Sequence, residues 1–248
     1  MSDVLEARIA RAMDYPFPRN DHCFVFADGV VTRLDPSQAS DTAGRVPVLA
    51  AGSNQSHEQL ARKYAGLKGS VIPAWRGRLH DFDTVYAAKF TGYGSIPATF
   101  QHSPGTAVTV FVQWLSPAQL QRMHETEGGY DYDRLTGIRI VLDRGGELTD
   151  AFAYSSSTGC LRLNGGHVGI AELAATGRRF PQMTQPEILA ALRDRFAPRM
   201  ALEDFIAENL DDAALRATRA AELARDSLPL LFPRQTLVSF PGMATPTP

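Results

Sequence analysis

The sequence predicts an α+β protein with an N-terminal helix-and-hairpin appendage and a helical C-terminal extension. Three observations carry this expectation. From Val46 onward, short β-rich runs alternate with segments of helical spacing. Nearer the N-terminus, two β-rich runs are joined by Asp28-Gly29, a pair that tolerates the positive φ of a tight hairpin. Helix starts are marked at Ser116, followed three residues later by Gln119, and at Thr184, followed by Glu187. The chain of 248 residues suits one large domain or a core with additions, and we divide it at 1–44, 45–198 and 199–248.

Taken in order, residues 3–13 read as a short helix with Leu5, Ile9 and Ala12 on one face, closed by Pro16 and Pro18. Cys23 to Ala27 and Val30 to Arg33 form the hairpin, and a polar stretch from Asp35 to Gly44 ends the appendage. Val46 to Ala51 reads as a buried strand broken by Gly52-Ser53-Asn54, and a polar helix follows through Leu60 to Leu67. Strands are expected at 84–91, around 98–100 and at 107–115, then a helix at 116–127, then strands at 136–142 and 151–155. A helix runs from Thr184 to Phe196, and residues 200–227 keep helical spacing until Pro229 and Pro233 stop it. Residues 241–248 read as a frayed tail.

Composition narrows the function classes. Lys plus Arg is 25 against 27 for Asp plus Glu, so the net charge of −2 supplies no general attraction to nucleic acid or anionic lipid. The nearest thing to a basic cluster is Arg178-Arg179. No apolar run is long enough for a signal-peptide core or a membrane span. Cys23 and Cys160 form no metal or disulfide pattern and read as buried small hydrophobes. The expectation is a cytoplasmic protein with neither nucleic-acid nor membrane partners.

Two segments carry candidate chemistry. A strand turning through Gly52, Ser53 and Asn54 into a helix presents backbone N–H groups as an anion receptor; an ordinary capped turn is the alternative. In the helix that Ser116 and Pro117 open, Leu120, Met123, His124 and Glu127 share a face, with Glu127 about 20° from Leu120 at roughly 100° per residue. Glu127 therefore lies on the inward stripe, in the last turn before Gly128-Gly129. Burial and the negative helix end both disfavour its charged form, as suits a proton shuttle. A frayed end with Glu127 in water is the alternative. His124 and Glu127 have metal-ligand spacing but no third ligand. The Gly165–Gly169 run lacks nucleotide-loop spacing, and no G-x-S-x-G elbow occurs.

Several motifs then fall in a recognisable order. They are Ala51-Gly52-Ser53-Asn54, Leu79-His80-Asp81-Phe82, Gly94 to Thr99, Phe100 to Gly105, and Val108 to Trp114 leading through Ser116-Pro117 to Glu125-Thr126-Glu127-Gly128. Tyr132-Asp133-Arg134 follows. This set resembles the γ-glutamylcyclotransferase-like superfamily, over roughly residues 46–155 with a looser continuation to 196. The resemblance implies a small mixed β-barrel flanked by helices, with its pocket at one mouth. It implies conversion of a γ-glutamyl amine or related amide to 5-oxoproline and a free amine, with no metal or organic cofactor. Glu127 would be the general acid/base, Gly52, Ser53 and Asn54 the loop that binds a carboxylate or oxyanion, and Tyr132 and Tyr154 pocket residues. The chain departs from the family where Ala51 replaces a loop Tyr, a space Tyr93 is placed to refill. The N-terminal unit and residues 199–232 are additions that could cover the barrel, form a homodimer surface or narrow the pocket. A non-catalytic small-molecule binding module, and an amide hydrolase or acyltransferase using the same Glu127, remain the alternatives.

Overall fold

The computed structural model describes residues 2–35 and 42–232, and the backbone of 235–237. The expected tail at 241–248 and most of the polar stretch after Asp35 lie outside the described residues. Five strands close into a ring. In spatial order they are β4 (Val71–Tyr86), β5 (Ala98–Leu115), β3 (Val46–Ala50), β7 (Glu147–Ser156) and β6 (Tyr130–Leu142), and β6 pairs back onto β4. β3 and β7 run parallel and the other four pairings are antiparallel, so the barrel is mixed, as expected. One apolar cluster draws on all five strands, with Leu49, Leu79, Phe82, Phe100, Val110, Leu135, Ile140 and Ala153 buried together. Each of the larger side chains stabilises the fold by about 1.5–3 kcal/mol, so closure is driven by this shared core.

The long strands exceed their expected lengths. The segments expected at 98–100 and 107–115 are one strand, β5, bulged where its register against β4 shifts between His80 and Phe82. At the bulge Asp81 and Gly105 both have positive φ (61° and 83°), and the Gly105 amide donates to Asp81 Oδ1 at 2.8 Å. The hairpin forms as the Asp-Gly turn requires, with φ of 47° at Asp28 and 88° at Gly29 joining β1 (Phe24–Ala27) to β2 (Val30–Arg33). β1 then adds to the sheet beside β4.

Helix α1 (Asp3–Met13) is capped by Ser2 and buries Ile9 and Ala12. It packs with α4 (Gln185–Phe196), α5 (Leu202–Asp211) and α6 (Ala213–Arg225) around a second apolar core containing Tyr15, Phe17, Ile96, Leu189, Phe205 and Leu223. The N-terminal segment and the C-terminal helices thus share one core with the middle of the chain. Between β7 and α4 the chain runs mostly without regular structure, and Arg178 ties it down. Arg178 grips both oxygens of the fully buried Asp83 and donates to the carbonyls of Ile170 and Leu173. The nearest thing to a basic cluster in the sequence is therefore half consumed by a structural ion pair. Cys23 and Cys160 are both buried and free, and burial pushes the Cys160 thiol up to about 12. No helix among the described residues is long and apolar enough to cross a membrane.

Candidate active site

A pocket of about 300 Å³ opens at one mouth of the barrel, where β3 and β7 end and β5 and β6 begin. Gly52, Ser53, Asn54, Glu127 and Tyr154 all line it, together with Tyr15, Lys63, Lys89, Tyr93 and Tyr130.

Glu127 is placed by α3 (Pro117–Thr126). The expected capping box forms at its start, the Ser116 hydroxyl accepting from the Gln119 amide while the Gln119 side chain accepts from the Ser116 amide. Glu127 caps the other end, four residues after the buried Met123. This stripe faces α2 (His57–Lys63), whose last residue supplies a group that sequence reasoning missed. The Lys63 ammonium forms an ion pair with Glu127 Oε1 and lies 3.4 Å from Met123 Sδ. The two charged side chains are only 8 % and 9 % exposed, so this is a buried pair. Asn54 Nδ2 donates to the same Oε1 at 2.7 Å. Both donors meet Oε1, and Glu127 lines the pocket.

The Gly52–Asn54 segment leaves β3 in a single 3₁₀ turn, Ser53–Gln55, held by the Gln55 amide on Gly52 O and the Ser56 amide on Ser53 O. Gln113 of β5 fixes the turn by donating to Asn54 O at 2.6 Å. As at any helix start, the turn itself leaves its first amides over. Beside the turn, the Tyr15 hydroxyl accepts from the Ala98 amide at 2.7 Å. Tyr15, 2 % exposed, reaches the site from beyond the end of α1. A Cβ at Gly52 would stand 2.1 Å from the Tyr15 oxygen, so the loop admits this hydroxyl only because residue 52 has no side chain.

Tyr93 lines the pocket together with Ala51. The Tyr130 hydroxyl donates to Ala98 O at 3.1 Å. Burial pushes the Tyr15, Tyr93 and Tyr130 phenols up, so all three remain protonated donors. Lys89 sits at the rim, donating to the carbonyls of Gly128 and Gly129 with its ammonium 4.6 Å from the centre of the Tyr130 ring. Burial pushes Lys89 down, opposed by the charge on Glu127. Tyr154 lines the pocket, but its hydroxyl is engaged with His124 Nδ1. Tyr132 lies outside the pocket wall, its ring stacked on Phe152 at 4.9 Å and edge-on to His124. Among the described residues, no group of three His, Cys, Asp or Glu side chains could hold a metal ion.

The fold and site together define a class: a closed mixed barrel whose mouth holds a buried carboxylate facing a tyrosine-rich pocket. No family model matches the sequence, and no curated protein matches it. Several solved structures are similar to the chain. An uncharacterised human protein is 17 % identical with a TM-score of 0.38, the match covering 65 % of this chain and 86 % of the other. A γ-glutamyl cyclotransferase is 16 % identical with a TM-score of 0.37, over 74 % of this chain and 99 % of the other. A protein of Arabidopsis thaliana is 18 % identical with a TM-score of 0.35, over 49 % and 67 %. At these levels no residue's role passes from them to this chain.

Proposed function

We propose that the protein is a cofactor-free cyclotransferase that converts a γ-glutamyl amine or related amide to 5-oxoproline and a free amine. The observation that carries this reading is the Glu127 carboxylate on the pocket wall, anchored through Oε1 by Asn54 and Lys63. In the reaction the substrate's α-ammonium gives a proton to Glu127 Oε2, and the freed amine attacks the γ-amide carbonyl carbon. The new C–N bond closes a five-membered ring and the carbonyl becomes an oxyanion. Collapse breaks the bond to the departing nitrogen, which takes the proton back from Glu127; the surplus proton on the ring nitrogen then passes by way of Glu127 to the released amine, which leaves as its ammonium. No water is consumed.

The surrounding charges suit this sequence. Lys63 holds the carboxylate ready as a base, and its positive charge disfavours the ammonium form of a substrate amine close by. Lys89 at the rim supplies a cation for the substrate's α-carboxylate. Gly52 and Asn54 amides and the Tyr154 ring form the rest of the substrate wall. A folded-back substrate brings amine and carbonyl together, so orientation supplies much of the acceleration.

One observation favours a second reading, a binding module: Lys63 already neutralises Glu127, as a purely structural pair would. Purified protein incubated with γ-glutamyl amino acids, γ-glutamyl amines and glutathione, followed by mass spectrometry, separates the readings. Formation of 5-oxoproline supports the cyclotransferase, free glutamate indicates hydrolysis, and binding without conversion leaves the binding module.

A further inference from the structure

The Tyr15 hydroxyl has a feature that structural packing alone does not require. Its oxygen accepts a backbone N–H bond from Ala98 at 2.7 Å. A phenol oxygen so occupied directs its own O–H away from that donor, and Tyr15 lines the pocket. An amide donating into the oxygen also polarises its O–H, strengthening it as a donor. The loop is built around the group, since any side chain at residue 52 would collide with it. The ring itself is held edge-on to Phe17 at 5.7 Å within the core that α1 shares with α4 and α5.

We propose that Tyr15 is a catalytic residue of the pocket, donating its hydroxyl proton in a hydrogen bond to the substrate's γ-carbonyl oxygen and to the oxyanion it becomes. The inference rests on the cyclotransferase reading and goes beyond it in one respect. The hydrogen-bond donor to the oxyanion comes from Tyr15, beyond the end of α1, and not from the Gly52–Asn54 loop. The N-terminal segment is therefore part of the active site, and the barrel alone lacks its oxyanion donor.

Tyr15→Phe keeps the ring and removes only the hydroxyl. With a substrate that the wild type converts, this variant should lose about 10²–10³-fold in kcat with KM changed only a few-fold. A ring-fluorinated tyrosine at position 15 keeps the packing and makes the hydroxyl more acidic, and kcat should move with that acidity. A merely structural tyrosine would alter stability without producing such a shift. Should the Phe variant fail to fold, the fluorinated protein carries the test. Turnover by Tyr15→Phe equal to the wild type, or kcat indifferent to fluorination, overturns the assignment and leaves the cyclotransferase reading standing. Silence of the wild type across the panel overturns both.

Discussion

Replacing Glu127 by Gln is the natural test of a proton shuttle, since the amide keeps the shape and loses the proton chemistry. The structure makes that variant anything but silent for the fold. Lys63 is 8 % exposed and its partner 9 %, so the substitution leaves an ammonium buried with no countercharge. Breaking a buried pair from one side costs about 3–5 kcal/mol, because the remaining charge keeps its full desolvation penalty. For a chain of this size, about 2–4 °C of Tm accompanies each kcal/mol, so Glu127→Gln should lower Tm on the order of 10 °C. Removing both charges, in Lys63→Met combined with Glu127→Gln, should recover most of that loss, because a Met beside Met123 packs without needing a partner. Thermal and urea unfolding of the wild type, both single variants and the double variant complete the cycle. A Glu127→Gln protein as stable as the wild type, or additive effects in the cycle, would refute the buried pair. Activity lost by both Glu127 variants, despite the restored stability of the double, would separate chemistry from folding.

Asp83→Asn removes the charge that Arg178 grips and should destabilise by about 3–5 kcal/mol in urea, whereas a change under about 0.5 kcal/mol would contradict the clamp. Gly52→Ala drives a methyl into the Tyr15 oxygen and should cost about 1–3 kcal/mol, while Gly128→Ala, with open space at its Cβ position, should stay within about 0.5 kcal/mol; equal effects would remove the argument for residue 52. Alkaline titration should show the buried phenols and thiol together. All seven tyrosines have raised folded-state values and Cys160 is pushed up to about 12, so the folded protein holds protons that the unfolded chain releases from about pH 9 upward. Stability should therefore fall as pH rises through that window, with phenolate absorbance appearing in one step with loss of circular dichroism. Gradual phenolate formation in the folded protein near pH 10 would argue against the burial.

The parts legible in the sequence are those with local physical causes. The Asp28-Gly29 hairpin, the capping boxes at Ser116 and Thr184, and the inward stripe ending at Glu127 each depend on residues within a few positions of one another. The first half of β4 was not legible for the same reason. The expected strand begins only at residue 84, yet β4 starts at Val71, and Gly77 is there because a side chain would stand 2.7 Å from Val141 O where β6 closes the ring. The resemblance implies Tyr132 as a pocket residue, whereas its ring stacks on Phe152 and lies edge-on to His124, outside the pocket wall.

By itself the sequence determined the element types, the helix starts, the turn at Gly52–Asn54 and the face on which Glu127 lies. Only the tertiary structure decided what Glu127 and that turn would meet. Lys63 stands 64 positions from Glu127, and Tyr15 stands 83 from Ala98, the residue whose amide it accepts. Neither pairing leaves a local signal. Each arises because closing the barrel and packing α1 against the C-terminal helices bring remote segments to one mouth, where the charge of a carboxylate and the Ala98 amide must find partners.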